Sequence, residues 1–514
     1  MNRSADAAAT ALDDASHRTA AGGIWQAGVD AVRGDVAVAA RVAIDATALT
    51  IADVVIPRHD FDRLLVVGGG KAAAAMAAGL VRVLAGRVPI RGRINVPEGT
   101  SEGDDIGGIE VHAVRPAGVN EPTEMAVRCT AAMLTDVATA SSRDLCIVLL
   151  SGGGSALLVA PREGVSLADK LAVTRYLSAA GASINQLNAV RSKLSRVKAG
   201  GLLKACRAGR LITLVLSDVI GDPLDVIASG PTVTAREIAV SDSPVADSPV
   251  ADTVATARSV LRRFDPERSL PASIYRIVDS GAGATADVSD GRPPRNDIVI
   301  VGNNSVAIEA AAEKAERTGW TVRRQFAEED EGTAEEVGKR LADQAIAMLH
   351  PPDSEVTDAA VADNVAEANC LIAGGEPVVR LAPAAIRGRG GRNQQVVLAA
   401  LIALARDPRF THSDRFRLVL LSAGTDGEDG PTDAAGAILD ETVWRAYENQ
   451  RLDPVDYLSR NDAYTFFSLT GGLLMTGATG TNVCDLRVVT VKASTDRTAT
   501  TATDAGPETT ERTP

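Results

Sequence analysis

Short runs of Val, Ile and Leu recur along the chain, and each is followed by glycine and then by an alanine-rich stretch. A strand that is apolar on both faces is typical of a sheet covered by helices on both sides, and strand–glycine–helix order is typical of βα units. We therefore predict an α/β protein with more than one sheet. The predicted strands lie at residues 64–67, 94–96, 145–150, 212–216, 298–301, 370–373 and 418–421.

The chain is long enough, at 514 residues, for two domains with separate cores. A stretch rich in Gly, Asp and Pro at 279–296 predicts the boundary between them. The tandem copy DSPVADSPVA is interpreted as a surface insertion near 240–252, because proline and charge repeat within it. The predicted organisation is a disordered N-terminal extension at 1–21, an N-terminal domain at 22–288, a C-terminal domain at 289–492 and a disordered polar tail at 493–514.

Charge and hydropathy argue against several classes of function. The net charge of −13 argues against nucleic acid as the main partner, because a phosphate backbone is bound by a basic surface. No apolar run approaches the roughly 20 residues that cross a bilayer, and the N-terminus lacks the pattern of a signal peptide. We therefore expect a cytoplasmic protein with no membrane partner; monomer and homodimer both stay open. Five scattered cysteines predict buried free thiols.

The first candidate site is the glycine turn VVGGGKAA, which follows the predicted strand at 64–67. Glycine lets backbone amides approach an anion, and a helix that begins there adds partial positive charge. Gly69 and Gly70 are therefore predicted to bind phosphate, and Lys71 adds a full charge at the same point. The turn is not a Walker A loop, because no Ser or Thr follows the lysine. A dinucleotide turn is disfavoured, since the acidic residue expected about 20 positions later is missing.

The second candidate site is LLSGGGSA, again between an apolar strand and a helix-like segment. Three glycines between two serines form a pocket of amides and hydroxyls that suits phosphate or carboxylate. A plain βα turn is the alternative for each turn taken alone, but two such turns in one half of the chain favour an anion site. The residues of the second turn are Ser151, Gly152, Gly153, Gly154 and Ser155.

A basic segment, INQLNAVRSKLSRVKAGG, occupies residues 184–201 and holds two of the few lysines in the chain. On a helix, Arg191 and Lys198 lie seven residues apart and share a face. We predict that Asn188, Arg191 and Lys198 bind the anionic cofactor. A solvated basic face is the alternative.

Carboxylates at predicted strand ends are the candidate metal ligands. The segment LSDVIGD supplies Asp218 and Asp222, and GTDGEDG supplies Asp426 and Asp429. Mg²⁺ prefers oxygen ligands and takes one or two carboxylates from the protein. Asp218 is also a candidate for orienting or deprotonating an attacking hydroxyl. Capping of the turns that follow is the alternative.

The loop GRGGRNQ carries Arg392 ahead of an alanine-rich segment. An arginine in such a loop can stabilise the charge on a phosphoryl group during transfer, and it does not lose its proton. The five histidines lie in none of these motifs, so a Ser–His–Asp hydrolase is not indicated.

Taken in order, these stretches resemble the glycerate 2-kinase family, in which a Rossmann-like N-terminal domain (DUF4147) precedes a C-terminal MOFRL domain. The resemblance covers roughly residues 22–492. The matching segments are GGGKAAAAMA at 68–77, LSGGGSALL at 150–158, INQLNAVRSKLSRVKAGGLL at 184–203, LSDVIGDPLDVIASGPTV at 216–233, GRGGRNQQVVLAAL at 388–401, GTDGEDGPTDAAGA at 424–437 and TGATGTNVCDLRV at 476–488.

The resemblance implies a two-lobed fold with the active site in the cleft between the domains. It also implies transfer of phosphate from ATP, with Mg²⁺, to D-glycerate, giving 2-phosphoglycerate. The lysine of the family's GKAA motif corresponds to Lys71 and the arginine of its GGRN motif to Arg392; we expect both to be catalytic, with Asp218 beside them. The chain reads RPAGVN at 115–120, where the family usually reads HPVPDE, so substrate contacts at that loop are expected to differ.

Two other functions stay open at this point. A hydroxypyruvate or tartronate-type reductase needs a nicotinamide site, and the missing ribose-binding acid speaks against one. A non-catalytic sensor of sugar phosphates would keep the anion-binding turns without turnover. No basic patch or DNA-binding segment supports this second alternative.

Overall fold

The computed structural model describes residues 2–100, 103–116, 121–234, 253–280, 293–327, 331–351 and 368–493. The predicted insertion near 240–252 and the predicted tail after residue 493 lie outside these ranges. The helices are α1 (Asn2–Ala31), α2 (Gly34–Arg41), α3 (Ala73–Leu84), α4 (Glu124–Ala138), α5 (Gly154–Leu157), α6 (Leu167–Ala179), α7 (Ile184–Lys193), α8 (Gly201–Ala205), α9 (Thr253–Phe264), α10 (Ala272–Asp279), α11 (Asn304–Arg317), α12 (Ala334–Leu349), α13 (Arg392–Arg406), α14 (Glu441–Gln450), α15 (Pro454–Ser459) and α16 (Ala463–Thr470).

The strands fall into three sheets. They are β1 (Val42–Ile44), β2 (Ala48–Ile51), β3 (Val54–Pro57), β4 (Arg63–Gly69), β5 (Ile90–Pro97), β6 (Asp105–Ile106), β7 (Ile109–Arg115), β8 (Asp144–Leu150), β9 (Arg210–Leu216), β10 (Arg295–Gly302), β11 (Val322–Gln325), β12 (Cys370–Gly375), β13 (Leu418–Gly424), β14 (Gly436–Leu439), β15 (Leu473–Leu474) and β16 (Asp485–Val491). The smallest sheet, β1-β2-β3, is antiparallel and packs on the core of the first lobe.

The first lobe is built on a seven-stranded sheet with the order β10-β9-β8-β4-β5-β7-β6. Its strands are parallel except for β6. Every residue of β8 is buried, because α2 and α3 cover one face of the sheet and α4 and α8 cover the other. The α/β prediction is confirmed. Gly69 lies opposite Leu150, and Leu150 opposite Val215, so β4, β8 and β9 end at the same edge.

The second lobe is built on a six-stranded sheet with the order β11-β12-β16-β13-β14-β15. The apolar runs at 370–373 and 418–421 favour parallel βα units, but both strands pair antiparallel with β16, which lies between them. The sequences of β12 and β13 resemble those of parallel strands because helices cover this sheet on both faces as well. Helices α12 and α13 pack on one face, and α1 and α11 on the other. Burial on two faces therefore determines the apolar pattern, whatever the strand direction.

Helix α1 runs through the segment predicted as a disordered extension at 1–21, and from His17 onward its side chains include buried ones. Ile24 and Trp25 are buried against α11 and the second sheet. His17 is also buried, and its Nε2 lies 3.0 Å from Oγ1 of Thr490. The polar, Ala-rich composition of this segment gives little helix stability alone, and tertiary packing supplies the rest. Although it comes first in the chain, α1 belongs to the second lobe.

The predicted domain boundary is wrong by one strand. Strand β10 lies after residue 289 in the chain, yet it pairs with β9 in the sheet of the first lobe. The chain enters the second lobe at α11. A stretch rich in Gly, Asp and Pro marks a surface connection, and such connections occur within a lobe as well as between lobes.

Helices α6, α7, α9 and α10 form a separate apolar cluster at the edge of the first lobe, and we call these four helices the cap. Capping boxes begin two of them, at Ser166 with Asp169 and at Ser183 with Gln186. The cap borders the loops that follow β8 and β9, because Lys170 of α6 lines one cavity together with Gly153.

The five cysteines are free and buried, as predicted. Within the described residues, no helix has the length and apolar character of a membrane span.

Candidate active site

The two predicted glycine turns interlock at the carboxyl edge of the first sheet. The amide of Lys71 donates to the carbonyl of Gly152 at 2.8 Å, and the amide of Ala72 donates to Oγ of Ser151 at 3.0 Å. Gly70 has a φ of 156°, and a Cβ at this position would lie 2.1 Å from the same Oγ. Only glycine fits there without a clash. The structure thus brings the two turns into one site.

The turns differ from the sequence prediction in how they would meet an anion. The amide of Gly70 donates to the carbonyl of Asn95 at 3.2 Å, so it is already paired. Gly69 belongs to β4. These two glycines therefore position Lys71 rather than present their own amides. In the second turn Ser151 and Gly152 are buried between the turns, whereas Gly153, Gly154 and Ser155 line a cavity.

Lys71 joins the two lobes. Its Nζ donates to Oδ2 of Asp426 at 2.9 Å and to Oε2 of Glu428 at 3.1 Å. Burial lowers the pKa of Lys71, but the two carboxylates outweigh it and the net shift is upward. The ammonium group is therefore a permanent cation at neutral pH. It lines the cavity between the lobes and also a second cavity of about 780 Å³, so a ligand can reach it from either side.

Arg392 begins α13 and is held by two carboxylates of the second lobe. Its Nε donates to Oδ2 of Asp485 at 2.7 Å and its Nη2 to Oδ1 at 2.9 Å. The remaining Nη1 donates to Oε1 of Glu376 at 2.7 Å. Both acids lie at one edge of the second sheet, since Asp485 of β16 is opposite Gly375 of β12. Burial lowers the pKa of Arg392, but the negative charge of Asp485 outweighs this effect. The net pKa shift is upward, so the guanidinium stays charged.

Asp218 follows β9 and has a perturbed pKa. Burial raises its pKa to about 6, and the negative charge of Glu376 adds to this effect. Its Oδ2 lies 3.5 Å from Nδ2 of Asn482, and its backbone carbonyl accepts a hydrogen bond from the thiol of Cys484. A carboxylate with this pKa is largely ionised at neutral pH and can still accept a proton.

Two of the four predicted metal ligands have structural partners instead. Asp429 caps α13: its Oδ1 accepts from the amide of Asn393 at 3.0 Å, and its Oδ2 from the amide of Gln394 at 2.8 Å. Burial raises its pKa to about 7 although these amides lower it. Oδ2 of Asp222 accepts from Nδ2 of Asn303, and Asp222 lines neither of the two cavities described next. The structure therefore brings Asp218, Asp426 and Asp429 to the wall of one cavity and leaves Asp222 outside it.

Two cavities meet at Asp218 and Gly153, which line both of them. We call them the cleft cavity and the cap cavity. The cleft cavity lies between the lobes, has a volume of about 1000 Å³ and contains the side chains of Lys71 and Arg392. The cap cavity has a volume of about 350 Å³ and lies between the cap and the second glycine turn.

Three residues of the basic segment line the wall of the cap cavity: Asn188, Arg191 and Lys198. Nζ of Lys198 donates to Oγ of Ser229 at 3.0 Å, and Ser229 in turn lies 2.8 Å from Oγ of Ser155. Nη1 of Arg191 donates to Oδ1 of Asn188 at 3.2 Å. Burial, and next the charges of its cationic neighbours, hold the pKa of Lys198 well below its usual value.

Sequence reasoning missed several residues of the site. Glu376 and Asp485 hold Arg392, and Glu428 pairs with Lys71, although Glu428 lay within a segment already selected. Lys170 lines the cap cavity from α6, where a single lysine in an ordinary helix carries no motif. Arg115 lines the cleft cavity, and burial lowers its pKa. Its position in the loop that departs from the family pattern was the one available signal, and residues 117–120 of that loop lie outside the described part.

Comparison with known proteins identifies relatives of this chain. Residues 20–279 match the domain of unknown function DUF4147, and residues 369–485 match the MOFRL family. The D-glycerate 2-kinase of Thermotoga maritima is 35% identical over 432 residues, covering 84% of this chain and 91% of the relative. A putative hydroxypyruvate reductase of Agrobacterium vitis is 35% identical over 437 residues, covering 84% and 99%. The crystal structure of a T. maritima glycerate kinase has a TM-score of 0.72 at 32% identity, covering 93% of this chain and 100% of that one.

The two-lobed α/β fold and the glycerate kinase relatives that share it place the chain among kinases for small molecules. Both family models match in the expected order, and together they span most of the chain. The chain belongs to the glycerate 2-kinase family.

Proposed function

We propose that this protein transfers the γ-phosphoryl group of ATP to the 2-hydroxyl of D-glycerate, giving 2-phosphoglycerate and ADP. The observation that carries the proposal is that Asp218 and Gly153 line both the cleft cavity and the cap cavity. Phosphoryl transfer requires a donor and an acceptor to meet in line at one point. Two cavities of unequal size that share a wall containing an ionisable carboxylate provide such a point.

The cleft cavity suits the nucleotide. It is the larger of the two, and the exposed apolar side chains of Val378 and Leu381 form part of its wall. Apolar surface of this kind packs against a purine base, while polar groups fix the orientation of the ligand. Lys71 and Arg392 lie in the same cavity and would neutralise charge on the phosphates. Because both cations are already held by carboxylates, little reorganisation is needed when the charge develops.

Asp218 would orient the 2-hydroxyl of glycerate and accept its proton as the oxygen attacks phosphorus. Its carboxylate is buried, so its pKa of about 6 lies closer to neutrality than that of an ordinary aspartate. A general base works best when its pKa is near the operating pH.

Glu376 and Asp426 fit a divalent cation such as Mg²⁺, because both line the cleft cavity. Besides burial, the charges of both raise the pKa of Asp218, which indicates neighbouring like charges in this part of the site. No group of three metal-ligating side chains converges within the described ranges. Mg²⁺ commonly takes one or two carboxylates and completes its shell with phosphate and water. When bound, it would neutralise charge on the phosphoryl oxygens.

Reduction of hydroxypyruvate is the second candidate, because a relative with nearly complete coverage carries that name. In the turn that would bind a dinucleotide, the side chain of Ser151 from the neighbouring turn occupies the space beside Gly70 and accepts a hydrogen bond from the amide of Ala72. An acid, Glu98, follows β5 directly, but it is exposed and lines neither the cleft cavity nor the cap cavity. These observations favour the kinase.

The test is incubation of the purified full chain with Mg·ATP and D-glycerate, with the product identified by phosphorus NMR. The proposal predicts 2-phosphoglycerate and one ADP per product molecule. Formation of 3-phosphoglycerate would retain the kinase and reject the regiochemistry. NADH oxidation with hydroxypyruvate, without ADP formation from glycerate, would replace the proposal by the reductase. Any turnover eliminates a non-catalytic sensor.

A further inference from the structure

The cap cavity contains cationic side chains that are paired only with neutral groups among the described residues. Nζ of Lys170 donates to the carbonyl of Leu194 at 3.4 Å, Lys198 donates to a serine hydroxyl, and Arg191 donates to an amide oxygen. Lys170 and Lys198 are almost fully buried, with 6% and 2% of their surfaces exposed. Burying charges without a counter-ion is costly, and proteins keep such groups where a ligand supplies the opposite charge.

Acidic side chains that line the cap cavity do not neutralise this cluster. Glu121 pairs with Arg175 at 2.7 Å, and both side chains are more than half exposed, so this pair belongs to the rim. Asp218 lies where the cap cavity meets the cleft cavity. The charges that shift the pKa values of Lys170 and Lys198 come only from other cations. Among the residues that the structure describes, the cap side of the cavity is therefore lined by basic groups without an acidic partner, and a carboxylate lies on its cleft side.

We propose that the cap cavity is the acceptor site, and that Lys170, with Arg191 and Lys198, binds the carboxylate of the hydroxy acid. This inference rests on the proposed function, and it assigns a residue for which the sequence carried no motif. A volume of about 350 Å³ accommodates a three-carbon acid, whereas a nucleoside triphosphate suits the larger cleft cavity. With its carboxylate at the cations, the acid directs its hydroxyl carbon toward Asp218.

The arrangement also defines the class of acceptor. A site built to bind a carboxylate strongly rejects an analogue that lacks one, because the buried cations then stay unpaired. Apolar side chains, among them Val159, Leu171 and Ile184, complete the wall and leave little room for a long polyol. We therefore expect short 2-hydroxy acids to be accepted and glycerol to be rejected.

The experiment compares Lys170→Met with a matched control, Lys339→Met, in the full chain. Lys339 is an exposed lysine on helix α12 and lines none of the cavities around the site. In Lys170→Met the KM for D-glycerate should rise about 10- to 100-fold, the range for one charge-assisted hydrogen bond, while the KM for ATP changes less than about twofold. The preference for D-glycerate over glycerol should shrink by the same factor. Lys339→Met should change neither value.

A binding measurement separates this inference from the proposed function. Calorimetric titration of D-glycerate into the nucleotide-free protein should show binding to the wild type and to Lys339→Met, and weaker binding to Lys170→Met. If the wild type binds D-glycerate through Lys170 yet transfers no phosphate, the kinase proposal fails and the acceptor site stands. If Lys170→Met raises the KM for ATP and not that for D-glycerate, the cavity binds nucleotide phosphates and the inference is overturned.

Unchanged KM values for D-glycerate and for ATP in Lys170→Met would also overturn the inference. Because a single variant can fail for reasons of folding, Lys198→Met provides a second test from α7's C-terminal side, and thermal melting confirms the folded state of each variant. Both variants should raise the KM for D-glycerate and leave the KM for ATP nearly unchanged.

Discussion

Arg392 and Asp485 form a two-point ion pair in which Nε and Nη2 of the guanidinium donate to the two carboxylate oxygens at 2.7 and 2.9 Å. The acid is completely buried and the arginine is one third exposed, and the remaining Nη1 donates to Glu376. This geometry fixes the plane of the guanidinium before any ligand binds. Planar, two-point recognition of this kind is specific to arginine.

Asp485→Asn should therefore lower kcat by about 10- to 100-fold, because the amide cannot accept two hydrogen bonds and Arg392 loses its fixed orientation. Steady-state kinetics measure the effect. The control is Asp407→Asn, which breaks a two-point pair with Arg409 on the surface. The control should leave kcat unchanged. Equal effects of both substitutions would show that the pair has no role in positioning.

Lys71→Ala should lower kcat by about 10²- to 10⁴-fold if the ammonium stabilises developing charge. The change in unfolding free energy should be small, because the ion pairs of Lys71 are partly exposed and screened by solvent. Lys339→Ala serves as a control for loss of a lysine. Near wild-type turnover in Lys71→Ala would remove Lys71 from the catalytic residues.

The activity should depend on the ionisation of Asp218. Burial raises the pKa of this carboxylate to about 6, so the active, ionised form is lost as the pH falls through that value. The value of kcat/KM should be constant above about pH 7 and should fall tenfold per pH unit below about 6. Asp218→Asn should abolish this acid limb together with most of the activity. A profile that stays flat down to pH 5 in the wild type would contradict the assignment.

Gly70→Ala should destabilise the interlocked turns, because the added Cβ would lie 2.1 Å from Oγ and 2.6 Å from the carbonyl oxygen of Ser151. We expect a loss of about 2 kcal/mol or more in the free energy of unfolding, together with loss of activity. Gly23→Ala is the matched control: this glycine lies within α1, and a Cβ there meets no atom within 4 Å. The control should stabilise the chain by up to about 1 kcal/mol. Denaturant titration measures both changes.

Lys170→Met should stabilise the ligand-free protein, although it weakens substrate binding. Burial lowers the pKa of Lys170 to about 7, so the folded chain holds fewer protons than the unfolded chain between about pH 7 and 10. The wild type therefore gains stability from this group as the pH rises through that window, and the penalty is largest at pH 7 and below. The variant should exceed the wild type by roughly 1–4 kcal/mol at pH 6 and by little at pH 10. If the wild type and the variant were equally stable at both pH values, this result would contradict burial of an unpaired charge at Lys170.

Much of the fold follows from local patterns. The strands β4, β8 and β9 are continuous apolar runs because both of their faces are buried, and the pattern identifies them for that reason. The direction of β12 and β13 does not follow, because antiparallel strands covered on two faces carry the same pattern. Helix α1 was missed because its stability comes from contacts with α11 and β16, which lie some 300 and 460 residues away in the chain.

The amino-acid pattern alone identifies the candidate functional residues: two glycine turns, Lys71, Arg392 and a set of aspartates at strand ends. Which of these residues lie together follows from the packing of the two lobes. This packing pairs Lys71 with Asp426, 355 positions away, and Arg392 with Asp485, 93 positions away. It also makes Asp429 a helix cap and places Lys170 near Arg191. Motif spacing records only neighbours along the chain, whereas the partners of a side chain depend on where sheets and helices pack.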